Sequence, residues 1–232
     1  MNAGRFSLTL RGVMDVYGEY GEYGNFDEAF DPKYGDPHPV PIVMATEKTL
    51  KGFGNLVTDF DAEEIDITPW PVQGWRKLWP DTGALGGIRS GDFKYKWKGD
   101  VCTAVNEAVI NGDYVTGKLP RGVSPSNRTH VLVKDANYHP DGSQIFYPKN
   151  KDPFVMLLAK PGDDLTLDSF VAFYCDGSFG VHVHTGVWHQ PVYPINDEAE
   201  FYGKQGAVHA CVGVDTVMEF EKFLLVPLTK PE

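Results

Sequence analysis

Residues 180–191 read GVHVHTGVWHQP and hold three of the seven histidines of the chain. His182 and His184 are two residues apart, so an extended strand would project both imidazoles from one face. Gly186 permits a tight bend, after which His189 follows. This spacing predicts a strand edge at which imidazoles converge on a pocket that binds a metal ion or moves protons. The simpler alternative is a set of histidines that only form hydrogen bonds in a polar barrel interior.

The composition narrows the class of protein. The chain has 232 residues, 13% of them aromatic, with 25 glycines and 17 prolines, which is typical of a β domain with many turns. A net charge of −11 argues against nucleic acid as a partner, because phosphate binding needs a basic surface. We find no signal peptide, no run of membrane-spanning length and no nucleotide-binding loop. We therefore predict a soluble cytoplasmic protein with no membrane partner and no nucleotide cofactor.

The three cysteines, Cys102, Cys175 and Cys211, are far apart and form no CxxC pair. Neither a disulfide framework nor a thiolate zinc site is indicated. This usage predicts reduced, mostly buried thiols, as in a cytoplasmic protein.

Strand-like alternation dominates the chain from about residue 84. Residues 93–98, FKYKWK, alternate aromatic and lysine side chains, as a strand with one buried face does. Further short candidate strands follow with frequent turns, as in a sandwich or barrel, and no linker interrupts residues 42–228. Residues 1–41, with a Tyr-Gly-Glu repeat at 17–24, are irregular and predict an N-terminal arm. Residues 46–51 predict a short helix with Thr46 as N-cap.

A second cluster of polar residues lies at 138–144, YHPDGSQ. His139 precedes a turn and Gln144 opens the next strand, so a hairpin can bring both side chains to one end of a barrel. Together with His184 and a further histidine from 180–191, they give a donor set suited to a divalent first-row metal. Open coordination positions would then take a substrate carboxylate or hydroxyl. The alternative needs no metal: a histidine acts as general base beside a cationic anchor for the carboxylate.

These two clusters resemble the ureidoglycolate lyase family, which carries an HPxxxQ-like segment and a later segment similar to GVxxHxxVWHxP. The resemblance extends over about residues 42–228, with an insertion of roughly residues 61–100. It rests on His139-Pro140 with Gln144, on Gly180-Val181 with His184, Val187-Trp188-His189 and Pro191, on the loop Lys160-Pro161-Gly162-Asp163-Asp164 with Leu167, and on Thr46-Glu47 through Phe53-Gly54 to Val57.

The resemblance implies a mainly β, cupin-like β-barrel, or double-stranded β-helix, with an N-terminal extension and few short helices. The chain would divide into an arm over 1–41 and a single domain over 42–228, assembled as a homodimer. The resemblance also implies a lyase that splits ureidoglycolate into glyoxylate and urea, a step of allantoin degradation in purine catabolism.

A wider resemblance to cupins implies a metal site. Cupins carry a motif that resembles HxH followed by a glutamate, and a histidine later in the chain. Here Asn137 and His139 occupy the two His positions, Gln144 stands where the glutamate would be, and His184 matches the later histidine. His139, Gln144 and His184 are therefore the implied ligands of a divalent metal ion, in a site weakened by the loss of one histidine and one acid.

The chain departs from the family near its C-terminus. The family strand ends in Asp-Arg, whereas Asp215 is followed here by threonine, which cannot hold a carboxylate bidentately. We therefore expect Arg121 or Arg128 to bind the substrate carboxylate, with Asp215 at the site, where it can orient a histidine. Asn106 or Glu107, within a predicted strand, is a further pocket candidate.

We predict a lyase of the ureidoglycolate lyase type that acts on a small-molecule carboxylate. His139, His184 and His189 would supply acid–base or ligand chemistry, Gln144 would orient the substrate or ligate the metal, and Trp188 would form a wall of the pocket. One alternative is an isomerase, dehydratase or hydrolase on another small acid or sugar acid, which the missing arginine favours. The second alternative is a non-catalytic cupin that binds a small ligand.

Overall fold

A computed structural model describes residues 32–69, 74–78, 87–107, 114–207 and 210–232. Within them the chain forms two large β-sheets and few helical turns, which confirms the prediction of a mainly β fold. Neither sheet closes on itself in these residues, and the arrangement is consistent with a cupin-like fold. No helix in these ranges is long and apolar enough to cross a bilayer. The predictions made for residues 1–31 lie outside the described residues.

The chain passes several times from one sheet to the other. The ten-stranded sheet has the order β1-β17-β7-β6-β5-β4-β15-β9-β12-β3 and the seven-stranded sheet the order β16-β8-β13-β10-β11-β2, with β14 beside β10. In chain order the strands are β1 (His38–Pro39), β2 (Ile42–Met44), β3 (Gly54–Val57), β4 (Ile88–Lys98), β5 (Val101–Asn106), β6 (Tyr114–Lys118), β7 (His130–Val133), β8 (Asp135–Tyr138), β9 (Gln144–Pro148), β10 (Phe154–Ala159), β11 (Val171–Cys175), β12 (Gly180–Val183), β13 (Trp188–His189), β14 (Tyr193–Pro194), β15 (Glu198–Gly206), β16 (Val212–Asp215) and β17 (Leu224–Pro227). In the parts of the chain that the structure describes, the helical segments are two 3₁₀ turns (Pro32–Tyr34 and Leu167–Ser169) and one α-helix, α1 (Thr216–Phe220).

Strand β10 is buried on both faces and separates two layers of core. Its six residues, FVMLLA, are all 0% exposed, and alternate residues join different hydrophobic clusters. Leu157 packs in the cluster that contains Trp188, while Met156 packs in the cluster that contains Phe146 and Phe201. A strand covered on both sides has no polar face, which is why this segment reads as a continuous apolar run.

The alternation predicted at residues 93–98 is present in β4. Phe93, Tyr95 and Trp97 are buried, and the lysines between them are exposed. β4 pairs with β15, whose residues also alternate between buried and exposed. The period-two pattern of these two strands therefore gives this part of the ten-stranded sheet one face toward the core and one toward solvent.

Among the described residues, the first strand begins at residue 38. β1, at His38–Pro39, pairs in parallel with β17, and β2 pairs in parallel with β11. The last residues of the predicted arm over 1–41 are therefore part of the ten-stranded sheet.

The short helix predicted at residues 46–51 is wrong: these residues form hydrogen-bonded turns. The Thr46 N–H donates to Thr49 Oγ1 (2.9 Å), and the Thr49 N–H donates to Thr46 Oγ1 (3.1 Å). Thr49 also donates its hydroxyl to Met44 O (2.6 Å). Such side-chain bonds to nearby backbone compete with the helical ladder, so the cap residue that suggested a helix stabilises a turn instead.

We expect Met156→Ala to lower the free energy of unfolding by about 2–5 kcal/mol, because the change leaves a cavity in a strand that is covered on both faces. Met218→Ala is the matched control. Met218 is 76% exposed, so the same truncation there should change stability by less than about 0.5 kcal/mol. Urea unfolding of both variants measures the difference, and equal effects would contradict the two-layer core.

Candidate functional site

Two histidines and a glutamine meet between the two sheets. His139 directly follows β8, His189 lies in β13, and Gln144 opens β9. The ring centroids of the two histidines are 5.0 Å apart, and His189 Nε2 lies 3.0 Å from Gln144 Oε1. All three side chains are more than nine-tenths buried. The structure thus brings together three of the residues that the sequence singled out.

A turn at Gly186 explains why His189 faces Gln144. β12 belongs to the ten-stranded sheet and β13 to the seven-stranded sheet, so the chain changes sheets between them. Gly186 has a φ of +78°, a conformation that residues with a Cβ rarely adopt. The Val187 N–H donates to His184 O across the turn (3.2 Å). The bend predicted at Gly186 is present, and it carries His189 to the opposite sheet.

Two further amide side chains extend this group on the ten-stranded sheet. Gln205 Oε1 accepts hydrogen bonds from Asn106 Nδ2 (2.9 Å) and Gln144 Nε2 (3.1 Å). Buried amides linked in this way hold one another's orientation, because a rotated amide would leave buried polar atoms unpaired. We call His139, His189, Gln144, Gln205 and Asn106 the histidine–amide cluster.

Both imidazoles of the cluster are neutral at neutral pH. Burial, assisted by the nearby His139, lowers the pKa of His189 to about 3. Burial also lowers the pKa of His139, and this outweighs the opposite effects of the Ala210 carbonyl and the Asp141 charge. His139 Nδ1 lies 3.0 Å from Ala210 O, and His189 Nδ1 lies 2.9 Å from Val187 O. Since a carbonyl only accepts, the proton of neutral His139 lies on Nδ1. His189 has an acceptor at each nitrogen, Val187 O at Nδ1 and Gln144 Oε1 at Nε2, so its single proton is donated to one of the two and the other nitrogen keeps a lone pair.

His182 and His184 lie on the other side of the ten-stranded sheet. His182 pairs with Ile145, whereas its neighbour Val183 pairs with Gln144. Successive residues of a strand point to opposite faces, so His182 points away from Gln144. The rings of His182 and His184 are 5.9 Å apart, which confirms that these two histidines share a face. The structure does not bring His184 to His139 and Gln144.

His182 joins an acidic segment to the sheet. Its Nδ1 lies 2.6 Å from Glu63 Oε1 and its Nε2 lies 2.7 Å from Ser143 Oγ. The order of groups is that of a serine–histidine–acid relay, but Ser143 Oγ already accepts the Asp66 N–H (2.8 Å) and also contacts His182 Nε2. We therefore assign these contacts a structural role, in which they fix residues 63–66 against β9 and β12.

The predicted metal ligands do not assemble within the described residues. His139 and Gln144 lie in the cluster, but His184 projects from the opposite face. No group of three His, Cys, Asp or Glu side chains in the described parts of the chain has the geometry to hold a metal ion. The residues present therefore do not fit the predicted ligand set, and a divalent metal ion stays a prediction from the sequence.

The arginines expected to bind a carboxylate are placed elsewhere. Arg128 donates to Ile195 O (3.0 Å), pairs with Asp197 (2.9 Å) and lies over the ring of Trp97. Arg121 is exposed in the turn after β6. The structure brings neither residue to the histidine–amide cluster.

Asp215 and Trp188 also have contacts away from the cluster. Asp215 is the N-cap of α1, where its carboxylate accepts the N–H groups of Val217 and Met218 at 2.9 Å each. Trp188 precedes His189 in β13 and therefore points to the other core layer, where its Nε1 donates to Gly162 O (2.8 Å). The structure places Asp215 at a helix terminus and Trp188 in the core behind the cluster.

A family model matches part of the chain. Residues 115–218 match the family model for ureidoglycolate lyase. This confirms the family resemblance over these residues, which we call the ureidoglycolate lyase segment. It includes His139, Gln144 and His189, whereas the resemblance noted for 42–114 and 219–228 lies outside the match.

Three curated relatives, each named ureidoglycolate lyase, match part of the chain. The protein of Azotobacter vinelandii is 41% identical over 71 residues, which is 31% of this chain and 43% of the relative. That of Pseudomonas savastanoi pv. phaseolicola is 41% identical over 63 residues, 27% of this chain and 37% of the relative. That of Salmonella paratyphi B is 34% identical over 71 residues, 31% of this chain and 44% of the relative. The chain thus spans less than half of the length of these relatives.

Gln205 is a member of the ureidoglycolate lyase segment that the sequence analysis missed. β15 alternates buried and exposed residues, with Phe201 and Gln205 both buried. A glutamine at an inward position of an alternating strand is the signal that identifies it, because buried amides need partners. Of the pair named as pocket candidates, Asn106 lies in the cluster, while Glu107 is exposed and pairs with Lys94 (2.6 Å).

The low pKa of His189 predicts a loss of stability at acidic pH. An unfolded histidine titrates near pH 6.5 and folded His189 near 3, so between these values the unfolded state binds more protons. The free energy of unfolding should therefore fall as pH drops through this window, by up to about 1.4 kcal/mol per pH unit for this group. His189→Asn should flatten the dependence.

Chemical denaturation from pH 7 to 4, in buffer with chelator, measures this slope. His184→Asn is the control, because the His184 ring is only partly buried and contributes less. An unchanged slope in His189→Asn would contradict a buried neutral imidazole.

Proposed function

We propose that this protein is a lyase that cleaves ureidoglycolate to glyoxylate and urea. The observation that carries the proposal is the buried pair His139 and His189, with Gln144 3.0 Å from His189, inside the segment that matches the ureidoglycolate lyase family. Two neutral imidazoles beside an orienting amide are suited to moving protons on a small polar substrate.

The reaction needs one proton removed and one delivered. The carbinol hydroxyl of ureidoglycolate gives its proton to the unprotonated nitrogen of one imidazole, the carbonyl of glyoxylate forms, and the C–N bond breaks. The leaving nitrogen of urea takes a proton from the imidazolium. Burial makes that imidazolium a strong acid, because charge is disfavoured in the interior, so it releases the proton readily. No net proton is consumed, and both imidazoles return to the neutral state.

Gln144 is the residue that orients the reacting groups. It lies between His189 and Gln205, with its oxygen toward the imidazole and its N–H toward the second amide. A side chain held from both sides loses little freedom when a substrate binds. We therefore propose that Gln144 positions the substrate rather than exchanging protons with it.

A second candidate function is an isomerase, dehydratase or hydrolase that acts on another small acid or a sugar acid. The missing C-terminal arginine favours it. Thr216, which stands in that place, is fully buried at the start of α1, and Arg121 and Arg128 lie away from the cluster. A third candidate is a cupin that binds a small ligand without turnover. It would differ from both enzymes because it would release no product.

We further propose that the protein works as a cytoplasmic homodimer on a small-molecule carboxylate, as the family resemblance implies. The cysteines Cys102, Cys175 and Cys211 are all free and buried, which suits a reducing compartment.

We expect His139→Asn and His189→Asn each to lower kcat/KM for ureidoglycolate by about 10²–10⁴-fold, because each change removes an imidazole from the cluster. His184→Asn is the matched control on the other face of the sheet and should leave kcat/KM unchanged. Release of glyoxylate and urea measures turnover, and thermal unfolding of each variant checks the fold. Intact turnover in both cluster variants would show that the cluster is not the catalytic site.

Elemental analysis, with turnover measured before and after chelation, tests the metal prediction. We expect chelation to leave turnover intact, because the proposed proton transfers use only side chains of the cluster. Stoichiometric metal whose removal abolishes turnover would contradict the proposed mechanism and establish a metal site.

A further inference from the structure

Asn137 presents an unpaired acceptor beside the proposed catalytic pair. It lies in β8 directly across from His189 in β13, and directly opposite residues of antiparallel strands project to the same face. Asn137 Oδ1 is buried and has no hydrogen-bond partner among the described residues. Because an unmade hydrogen bond in the interior costs free energy, an acceptor kept without a partner at a site suggests a donor on the ligand.

Three more uncharged amide side chains lie near the two imidazoles, and we call them, together with Asn137, the amide wall. Asn106, Gln144 and Gln205 line the facing strands of the ten-stranded sheet and are joined by hydrogen bonds. Together with Asn137 they surround the two imidazoles with amide groups drawn from both sheets. Amide oxygens accept N–H groups, and amide N–H groups donate to carbonyls, so such a wall matches a ligand that is itself an amide.

A carboxylate would be disfavoured at the same place. It would meet Asn137 Oδ1, which can only accept, and the negative charge of Asp141, which is buried close enough to His139 to affect it. Lys204, next to Gln205 in β15, points to the opposite face and donates to Phe60 O and Glu63 O. These groups therefore disfavour the carboxylate end of a ligand at Asn137 and leave that position to an uncharged group.

We propose that this amide wall binds an uncharged ureido or carboxamide group, with an N–H of the ligand donated to Asn137 Oδ1. The inference rests on the proposed lyase function, because it assigns the ureido end of ureidoglycolate to the amide wall. Asn137 and His189 are cross-strand neighbours, so a nitrogen bound to Asn137 lies beside the imidazole that protonates the leaving group. Asn137 is thus a specificity-determining residue.

Two ligands that cannot react test the proposal by calorimetry. N-carbamoylglycine carries a terminal NH₂ where N-acetylglycine carries a methyl group, and the two are otherwise alike. We expect the wild-type protein to bind N-carbamoylglycine at least about tenfold more tightly. Asn137→Leu, which is similar in size and has no acceptor, should abolish this preference without weakening N-acetylglycine.

Asn55→Leu is the matched control, because Asn55 is exposed on β3 and pairs with His182 on the far side of the sheet. It should keep the preference of the wild type, and circular dichroism and thermal unfolding show that all variants are folded. Equal binding of the two ligands by the wild type, binding of neither, or an unchanged preference in Asn137→Leu would overturn the proposal. Preferential binding of N-carbamoylglycine without turnover of ureidoglycolate would reject the lyase function and support the amide wall. The failure of one proposal can therefore be distinguished from the failure of the other.

Discussion

The contact between His189 and Gln144 joins the two sheets inside the molecule. His189 comes from the seven-stranded sheet and Gln144 from the ten-stranded sheet, and their polar atoms are 3.0 Å apart. Both side chains are buried, so each depends on the other and on its neighbours for its hydrogen bonds. The position of His139, the orientation of Gln205 and the proposed chemistry all depend on this one contact across the interface.

The surroundings of the contact set its chemistry. Phe146, whose ring lies 6.2 Å from that of His189, belongs to the aromatic core layer beneath the cluster. An apolar layer on one side disfavours charge on the imidazoles, while a backbone carbonyl faces each Nδ1. The cost of burying polar groups is offset by the chain of amides, and the site gains two neutral imidazoles shielded from water. Local sequence rules for a hydrophobic core are therefore broken at the histidine–amide cluster.

The same strands present a different chemistry on their other face. His182 is fixed between Glu63 and Ser143, and it ties a segment far away in sequence to β12. One strand thus supplies a structural anchor on one side, and the residues that follow its turn supply the proposed catalytic group on the other. Because the chain crosses between sheets at Gly186, histidines close in sequence have separate functions.

The sequence by itself determined the mainly β class, the period of strands such as β4, the bend at Gly186 and the common face of His182 and His184, because these depend on neighbours along the chain. It also singled out His139, Gln144 and His189. Only the tertiary structure decided which sheet each strand joins and which face meets the core, since a shift of one residue in strand pairing reverses every side chain. That is why His184 and Trp188 are separated from the cluster and Asp215 begins a helix. It is also why Gln205, distant in sequence, becomes a neighbour of Gln144.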